Sequence, residues 1–191
     1  MRRLRRIEAP TRYIKPLTED ERIGQFGEEL YEAVAALRTG WKSIKNEALN
    51  KAGIDINFRL EDASIDTQIR TSTFGKTPGE EKGWAFRMYP TGGKIDAKLY
   101  GQPNFFLALI GLHCGHRELL DSDVPFSVPM WIRTIPGARV IERNPPHNIK
   151  ISREKFEARE YEWLEGTKGI KETFAEEFER KMGREQPEPE T

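Results

Sequence analysis

One stretch of the chain, residues 53–72, alternates apolar and polar side chains over two short runs that are separated by a polar turn. Period-two alternation over residues 54–60 and 65–71 predicts a β-hairpin with one apolar face. Neighbouring side chains of a strand point to opposite faces, so Asp55, Gln68 and Arg70 can meet on the polar face. The chain must therefore build a sheet around this hairpin.

The segment before the hairpin predicts a helix with defined ends. Thr18 and Glu21 have the spacing of a capping box, and Gly40 is placed to end the helix. Apolar residues follow at spacings of three and four, and they predict the packed face: Ile23, Phe26, Leu30, Val34 and Leu37. Residues 41–44 are either a short strand or the point at which the helix restarts.

The segments after the hairpin predict further strands and a closing helix. Residues 83–89 alternate as a third strand of the sheet, and 94–100 are either a short helix or a sheet edge. Residues 104–112 are apolar on both alternations, as in a central strand covered on both faces. Residues 130–135, 138–142 and 149–151 read as short strands, and a final helix carries Ile170, Phe174, Phe178 and Met182. This order predicts an α/β or α+β domain with a central mixed sheet flanked by helices.

Length and charge bound the organisation of the chain. Its 191 residues suffice for one domain, predicted over 18–182, between an extended basic arm (1–17) and a disordered acidic tail (183–191). Basic and acidic residues number 31 each, so net charge does not indicate a nucleic-acid or membrane partner. No apolar run has the length of a membrane span, and the single cysteine fits a reducing compartment. We expect a protein of the cytoplasm, or one packaged in a virion.

Three motifs give the chain a family resemblance. Gly27-Glu28-Glu29 lies in the first predicted helix, Gly53-Ile54-Asp55 opens the hairpin, and Gln68-Ile69-Arg70 stands on its second strand, before the apolar run. This order resembles the PD-(D/E)xK nuclease superfamily, especially Mrr-type restriction endonucleases and related defence-associated domains, over residues 20–160. The resemblance implies a restriction-endonuclease-like fold and action on DNA.

The resemblance also implies a site. Asp55, Gln68 and Arg70 would be its catalytic residues, and Glu28, Glu29, Asp55 and Gln68 the candidate ligands of Mg²⁺, which prefers oxygen. Arg70 replaces the lysine of the family pattern; arginine stays protonated and cannot act as a base, but it can bind phosphate as a fork. Gln68 brings no negative charge. The expected protein is therefore either a Mg²⁺-dependent DNA endonuclease or a catalytically degenerate DNA-binding subunit, working with other subunits or as a homo-oligomer.

Two further readings stay open. The polar hairpin face can be a plain solvent-facing side of a sheet. The layout of one long helix, strands and a closing helix also suits a phage head–tail connector or tail-completion protein. His113, Cys114 and His116, with the distant His147, lack the standard spacing of a zinc site, so a turn at the end of a strand is the expected reading.

Overall fold

A computed structural model describes residues 16–44, 53–75, 83–88, 94–115, 119, 129–144, 146–158 and 167–183. Nearly all of the predicted basic arm and acidic tail therefore lie outside the described residues. The described chain is an α+β domain with a mixed five-stranded sheet. None of its described helices is long and apolar enough to cross a membrane.

The helices are α1 (Glu19–Thr39), α2 (Ala97–Tyr100), α3 (Gly137–Arg143), α4 (Arg153–Ala158) and α5 (Ile170–Gly183). The strands are β1 (Lys42–Ile44), β2 (Ile56–Leu60), β3 (Ala63–Thr73), β4 (Gly83–Arg87), β5 (Phe105–Leu112), β6 (Met130–Pro136) and β7 (Asn148–Ser152). The main sheet has the order β1-β2-β3-β5-β6, in which β3 and β5 are parallel and the other neighbours are antiparallel. The β4 and β7 strands form a separate antiparallel pair.

The predicted ends of α1 are confirmed. The Thr18 amide donates to the Glu21 carboxylate at 2.7 Å, and the Glu21 amide donates to the Thr18 hydroxyl at 3.3 Å. Gly40 has a φ of 75°, and its amide donates to the Ala36 carbonyl at 2.9 Å. The side chains of Thr18 and Glu21 thus satisfy backbone amides at the start of α1, and the Gly40 amide satisfies a carbonyl at its end.

The predicted packed face of α1 is partly wrong. Leu37 is 87% exposed, whereas the buried positions are Ile23, Gly27, Tyr31 and Ala35. Gly27 packs against the Thr71 side chain of β3. The small residues at positions 27 and 35 lie on the side of the helix that faces the sheet, and Leu37 lies on the solvent side.

The hairpin is confirmed, with a shorter turn than predicted. Only Glu61 and Asp62 separate β2 from β3. Its apolar side chains, Ile56, Phe58, Ile65 and Ile69, are buried in a core shared with α1 and α5.

The polar face of the hairpin is only partly open to solvent. Arg59 is exposed and Arg70 half-buried, so the plain solvent-facing interpretation is wrong only for the buried members of this face. Asp66 is 8% exposed and Gln68 is 7% exposed. The α2 helix reaches this face through Tyr100, and the Ala85 amide of β4 donates to the Ser72 hydroxyl of β3 at 3.0 Å. Polar groups in a covered face need specific partners, so their arrangement is informative.

The central strand is also confirmed, because every residue of β5 is buried. Phe106, Ala108, Ile110 and Leu112 belong to the core under α1 and α5. Phe105, Leu107 and Leu109 belong to a second core, formed with α2, α3 and the β4–β7 pair. One strand therefore contributes to both layers of the molecule.

Two predicted strands differ from the structure. Residues 83–89 do contain a strand, but β4 pairs with β7 and stays outside the main sheet. Residues 138–142 lie in α3, where Gly137 and Val140 form the buried side. A five-residue segment is too short for periodicity to separate helix from strand. In the closing helix Met182 is 39% exposed, whereas Ile170 and Phe174 are buried.

Candidate functional site

The site begins where β2 begins. The Asp55 amide donates to the Thr67 carbonyl at 2.9 Å. Its carboxylate Oδ2 accepts the Ile69 amide at 2.6 Å. The β2 ladder starts only at Ile56, so this carboxylate replaces the backbone acceptor that a longer β2 would have supplied.

Gly53 provides a backbone conformation and a free space that the segment before β2 needs. Its φ of 96° lies in the region that only glycine adopts readily. A Cβ at this position would stand 2.8 Å from Leu99 Cδ2 of α2 and 3.6 Å from the Gln68 side-chain nitrogen. Glycine therefore lets α2 lie directly against the start of β2.

Arg70 stands beside Asp55 on the same face of the hairpin. Its Nη1 lies 3.8 Å from Asp55 Oδ2 and donates to the Ile69 carbonyl at 2.8 Å. The Arg70 side chain is 24% exposed and the Asp55 side chain 22% exposed. The guanidinium is thus held in place by the protein while part of it still meets solvent, where a ligand can reach it.

Tyr100 completes this cluster, and the sequence interpretation missed it. The Tyr100 hydroxyl donates to the Gln68 side-chain oxygen across 32 residues of sequence. Burial raises the pKa of Tyr100 to about 12, with Arg70 acting to lower that pKa and Asp55 to raise it. The hydroxyl therefore stays protonated at neutral pH and acts as a fixed donor. No local pattern links α2 to β3, so only the fold could reveal the contact.

The electrostatics of Asp55 are dominated by burial. Burial raises the pKa of its carboxyl, while the Ile69 amide and the Arg70 guanidinium act to lower it. The two partners therefore compensate only part of the cost of removing this carboxylate from water. A further cation or donor, brought by a ligand, would stabilise the charged form.

The predicted metal ligands are placed unevenly. Asp55 and Gln68 lie on the hairpin, whereas Glu28 and Glu29 lie on α1, where Glu29 accepts the Gln25 side-chain amide at 3.1 Å. In the described part of the chain, no three His, Cys, Asp or Glu side chains form a group that could hold a metal ion. Asp55 and Gln68 provide one carboxylate and one amide oxygen, which do not make a complete Mg²⁺ site.

An open groove of about 530 Å³ lies between the N-terminal half of α1, the C-terminal half of β3 and the β4–β7 pair. Arg87 of β4 and Lys150 of β7 line it, opposite Gly24 of α1. Thr71 and Ser72, which directly follow Arg70, line its floor. The charged side chains that line the groove are thus two basic ones, Arg87 and Lys150, and one acidic one, Asp20 of α1.

The histidine-rich turn has a packing role. The His113 ring stacks on Phe74 with 4.4 Å between ring centroids, and Cys114 is buried. His116 lies outside the described residues.

Comparison of the chain with family models, with curated proteins and with solved structures finds no match.

Proposed function

We propose that this protein is a DNA-binding protein of restriction-endonuclease-like type, in which the face formed by Asp55, Gln68 and Arg70 engages a phosphodiester group. The observation that carries this proposal is the contact between Asp55 and Arg70 on one covered face of the β2–β3 hairpin. The same hairpin keeps the order of the nuclease pattern, with arginine in place of its lysine: Gly-Ile-Asp stands at the head of one strand and Gln-x-Arg on the strand paired with it.

The chemistry of Arg70 supports a phosphate ligand. A guanidinium presents a planar fork of donors that matches two phosphate oxygens. Its contacts with Asp55 and with the Ile69 carbonyl hold this fork before a ligand arrives, so less side-chain entropy is lost on binding. Arg87 and Lys150 supply two further basic side chains, in a groove that also carries Asp20, and such side chains are the contacts that a nucleic-acid backbone uses.

The proposal is tested by titrating the protein with a fluorescently labelled DNA duplex and measuring anisotropy at several salt concentrations. Arg70→Ala should weaken binding about tenfold or more, since a hydrogen bond to a charged group contributes roughly 1.5–3 kcal/mol. It should also reduce the slope of log K against log salt by about 0.9, the value for one lost phosphate contact. Arg70→Lys should keep most of that slope.

Arg38→Ala is the matched control. Arg38 is exposed in the last turn of α1, eleven residues and about 16 Å along the helix from Gly27, which packs on β3. This variant removes the same charge and should leave affinity and salt slope unchanged. Equal effects of the two substitutions, or no DNA binding by the wild-type protein, would sink the proposal. A ring-shaped oligomer without DNA affinity would favour the virion alternative.

Metal-dependent cleavage is a second candidate, supported by the place of Asp55 at the head of β2 and of Gln68 on the strand paired with it. One carboxylate and one amide oxygen hold Mg²⁺ poorly, so phosphate and water oxygens would have to fill the remaining positions. The double substitution Gln68→Glu with Arg70→Lys restores the residue types of the nuclease pattern. We expect it to raise nicking of plasmid DNA with Mg²⁺ or Mn²⁺ above the wild-type level.

The control for this experiment adds Asp55→Ala to the double variant, which should abolish the gained nicking. Thermal melting must first show that both proteins are folded. A folded double variant that nicks DNA no faster than the wild-type protein would contradict the nuclease assignment while leaving DNA binding untouched.

A further inference from the structure

The two hairpin side chains that the nuclease pattern would give to a metal ion already accept hydrogen bonds from the protein. The Asp55 Oδ2 atom accepts the Ile69 amide at 2.6 Å. The Gln68 side-chain oxygen accepts the Tyr100 hydroxyl, and Gln68 is only 7% exposed. A metal ion would therefore have to displace a protein donor, or share its acceptor, at each of these two ligands.

The two carboxylates of α1 do not complete the set of ligands. Glu28 and Glu29 belong to α1, which packs against the face of β3 that carries Thr71. Gln68 is three residues from Thr71 on the same strand, so it points to the opposite face. In the described segments, Asp55 belongs to no group of three acidic, histidine or cysteine side chains. One carboxylate and one covered amide oxygen do not fit a divalent metal ion.

Arg70 places a permanent positive charge beside the carboxylate that a metal ion would need. Its Nη1 lies 3.8 Å from Asp55 Oδ2 and donates to the Ile69 carbonyl at 2.8 Å. Arginine stays protonated throughout the ordinary range of pH. A Mg²⁺ ion bound to Asp55 Oδ2 at about 2.1 Å would lie within about 6 Å of this Nη1 atom. Repulsion between the two cations disfavours such an ion.

A guanidinium can supply the electrostatic part of what a metal ion does. Arginine side chains and Mg²⁺ ions both serve as clamps for the charged oxygens of phosphoryl groups. The side chains of Arg70 and Asp55 are 24% and 22% exposed, so the guanidinium can meet a phosphate while it stays paired with the carboxylate. Unlike a metal ion, a guanidinium does not activate a bound water for attack, so it supports binding rather than hydrolysis.

We propose that Arg70 takes the place of the divalent metal ion at this site, where it pairs with Asp55 and contacts the phosphate group of DNA. The site then binds DNA without a metal ion and keeps divalent ions away from Asp55. This inference rests on the proposed function for the phosphate contact. The exclusion of metal ions rests on the pairing of Arg70 with Asp55 and is tested separately.

The exclusion is tested with Mn²⁺, whose unpaired electrons broaden the NMR signals of nearby amides. The probe is the Ile69 amide, which donates to Asp55, in ¹⁵N-labelled protein titrated with Mn²⁺. In the wild-type protein this signal should broaden no more than amide signals remote from the site. Arg70→Gln should raise the affinity of Asp55 for Mn²⁺ about tenfold or more, the usual effect of one neighbouring charge on a carboxylate equilibrium. The Ile69 signal of this variant should broaden at correspondingly lower Mn²⁺ concentrations.

Arg59→Gln is the matched control. Arg59 is an exposed arginine of the same hairpin, four residues and about 13 Å of extended chain beyond Asp55. This variant removes the same charge and should leave the Ile69 signal as it is in the wild-type protein. Adding Asp55→Asn to Arg70→Gln should abolish the gained broadening. The dispersion of the amide signals shows in the same spectra whether each variant is folded.

Three results of the Mn²⁺ titration would overturn the inference. Selective broadening of the Ile69 signal in the wild-type protein would show that Asp55 binds the ion beside Arg70, and this result does not require any variant to fold. A folded Arg70→Gln without increased broadening would show that the arginine excludes nothing. Equal broadening in Arg59→Gln would mean that any lost positive charge has the same effect.

DNA titrations in EDTA and in millimolar Mg²⁺, at equal ionic strength, separate this inference from the proposed function. We expect the affinity for the duplex in EDTA to be at least as high as in Mg²⁺, because Mg²⁺ competes with the protein for phosphates. Binding that requires Mg²⁺ would overturn the inference and leave the proposed function standing. Absence of DNA binding under both conditions would overturn the proposed function, and the Mn²⁺ titration would still decide whether Arg70 keeps metal ions from Asp55.

Discussion

At the scale of single residues, Asp55 combines a structural task with a place in the candidate site. Its carboxylate accepts the Ile69 amide and lies beside Arg70, yet burial still raises its pKa. A substitution that removes the acceptor for the Ile69 amide should therefore lower the free energy of unfolding. One that removes only the carboxylate charge should raise it.

Asp55→Asn should stabilise the protein at pH 7 because it keeps an oxygen for the Ile69 amide and removes the desolvated charge. The folded-state pKa lies above the ordinary value of 3.8, so the wild type binds its proton more tightly when folded. Wild-type stability should then fall, relative to the variant, as the pH rises above about 3.8 and through the folded-state pKa. Calorimetric melting from pH 3 to 7 should show the difference in Tm widening with pH.

Two further variants serve as comparisons in that measurement. Asp55→Ala leaves the Ile69 amide without an acceptor and should cost about 1–3 kcal/mol. Asp62→Asn makes the same change of formal charge on the exposed turn, and its melting curve serves as the control for the loss of one charge. A variant Asp55→Asn that melts below the wild type at pH 7 would mean that the ion pair with Arg70 outweighs the cost of burial.

At the scale of elements, the parts that the sequence predicted are those with local determinants. The capping box of α1 uses residues three apart, and the meeting of Asp55 with Arg70 follows from pairing within one hairpin. The sequence of β5 is apolar at consecutive positions, and this pattern alone predicts burial on both faces of the strand. Tyr100, the covering of the polar face and the separate β4–β7 pair depend on contacts between distant segments, which no local pattern encodes.

The packing of α1 on β3 is tested by a pair of glycine substitutions in one helix. Gly27→Ala would place a Cβ inside the Thr71 side chain, so we expect it to cost about 1–3 kcal/mol. Gly24→Ala meets nothing within 4 Å and should stabilise the helix by about 0.5–1 kcal/mol. Urea unfolding of both variants would measure the two effects. Destabilisation by both substitutions alike would contradict the contact between Gly27 and β3.

At the scale of the whole molecule, β5 joins two hydrophobic cores. Its alternate side chains enter the layer under α1 and α5 or the layer under α2, α3 and the β4–β7 pair. Neither layer can lose its half of this strand without disturbing the other, so the domain should unfold as one cooperative unit.

That cooperativity can be measured with one substitution on each side of β5. Phe106→Ala should cost about 3–5 kcal/mol and Leu107→Ala about 2–5 kcal/mol, as is usual for large residues cut back in a core. Near-ultraviolet and far-ultraviolet circular dichroism should give the same urea midpoint within each variant. Separate midpoints for the two signals in either variant would show that the layers unfold independently.

The hydrogen bond between the Asp55 carboxylate and the Ile69 amide has a consequence for how this site can change in evolution. The strand needs an acceptor at position 55 whether or not any chemistry occurs there, because the amide is otherwise left unpaired. No backbone amide depends on the side chain at position 70, although Arg70 does donate to a carbonyl. A lineage that abandoned catalysis would thus keep a carboxylate or amide at 55 and drift first at 70. Substitutions at position 70 would therefore be the first sign of such a loss.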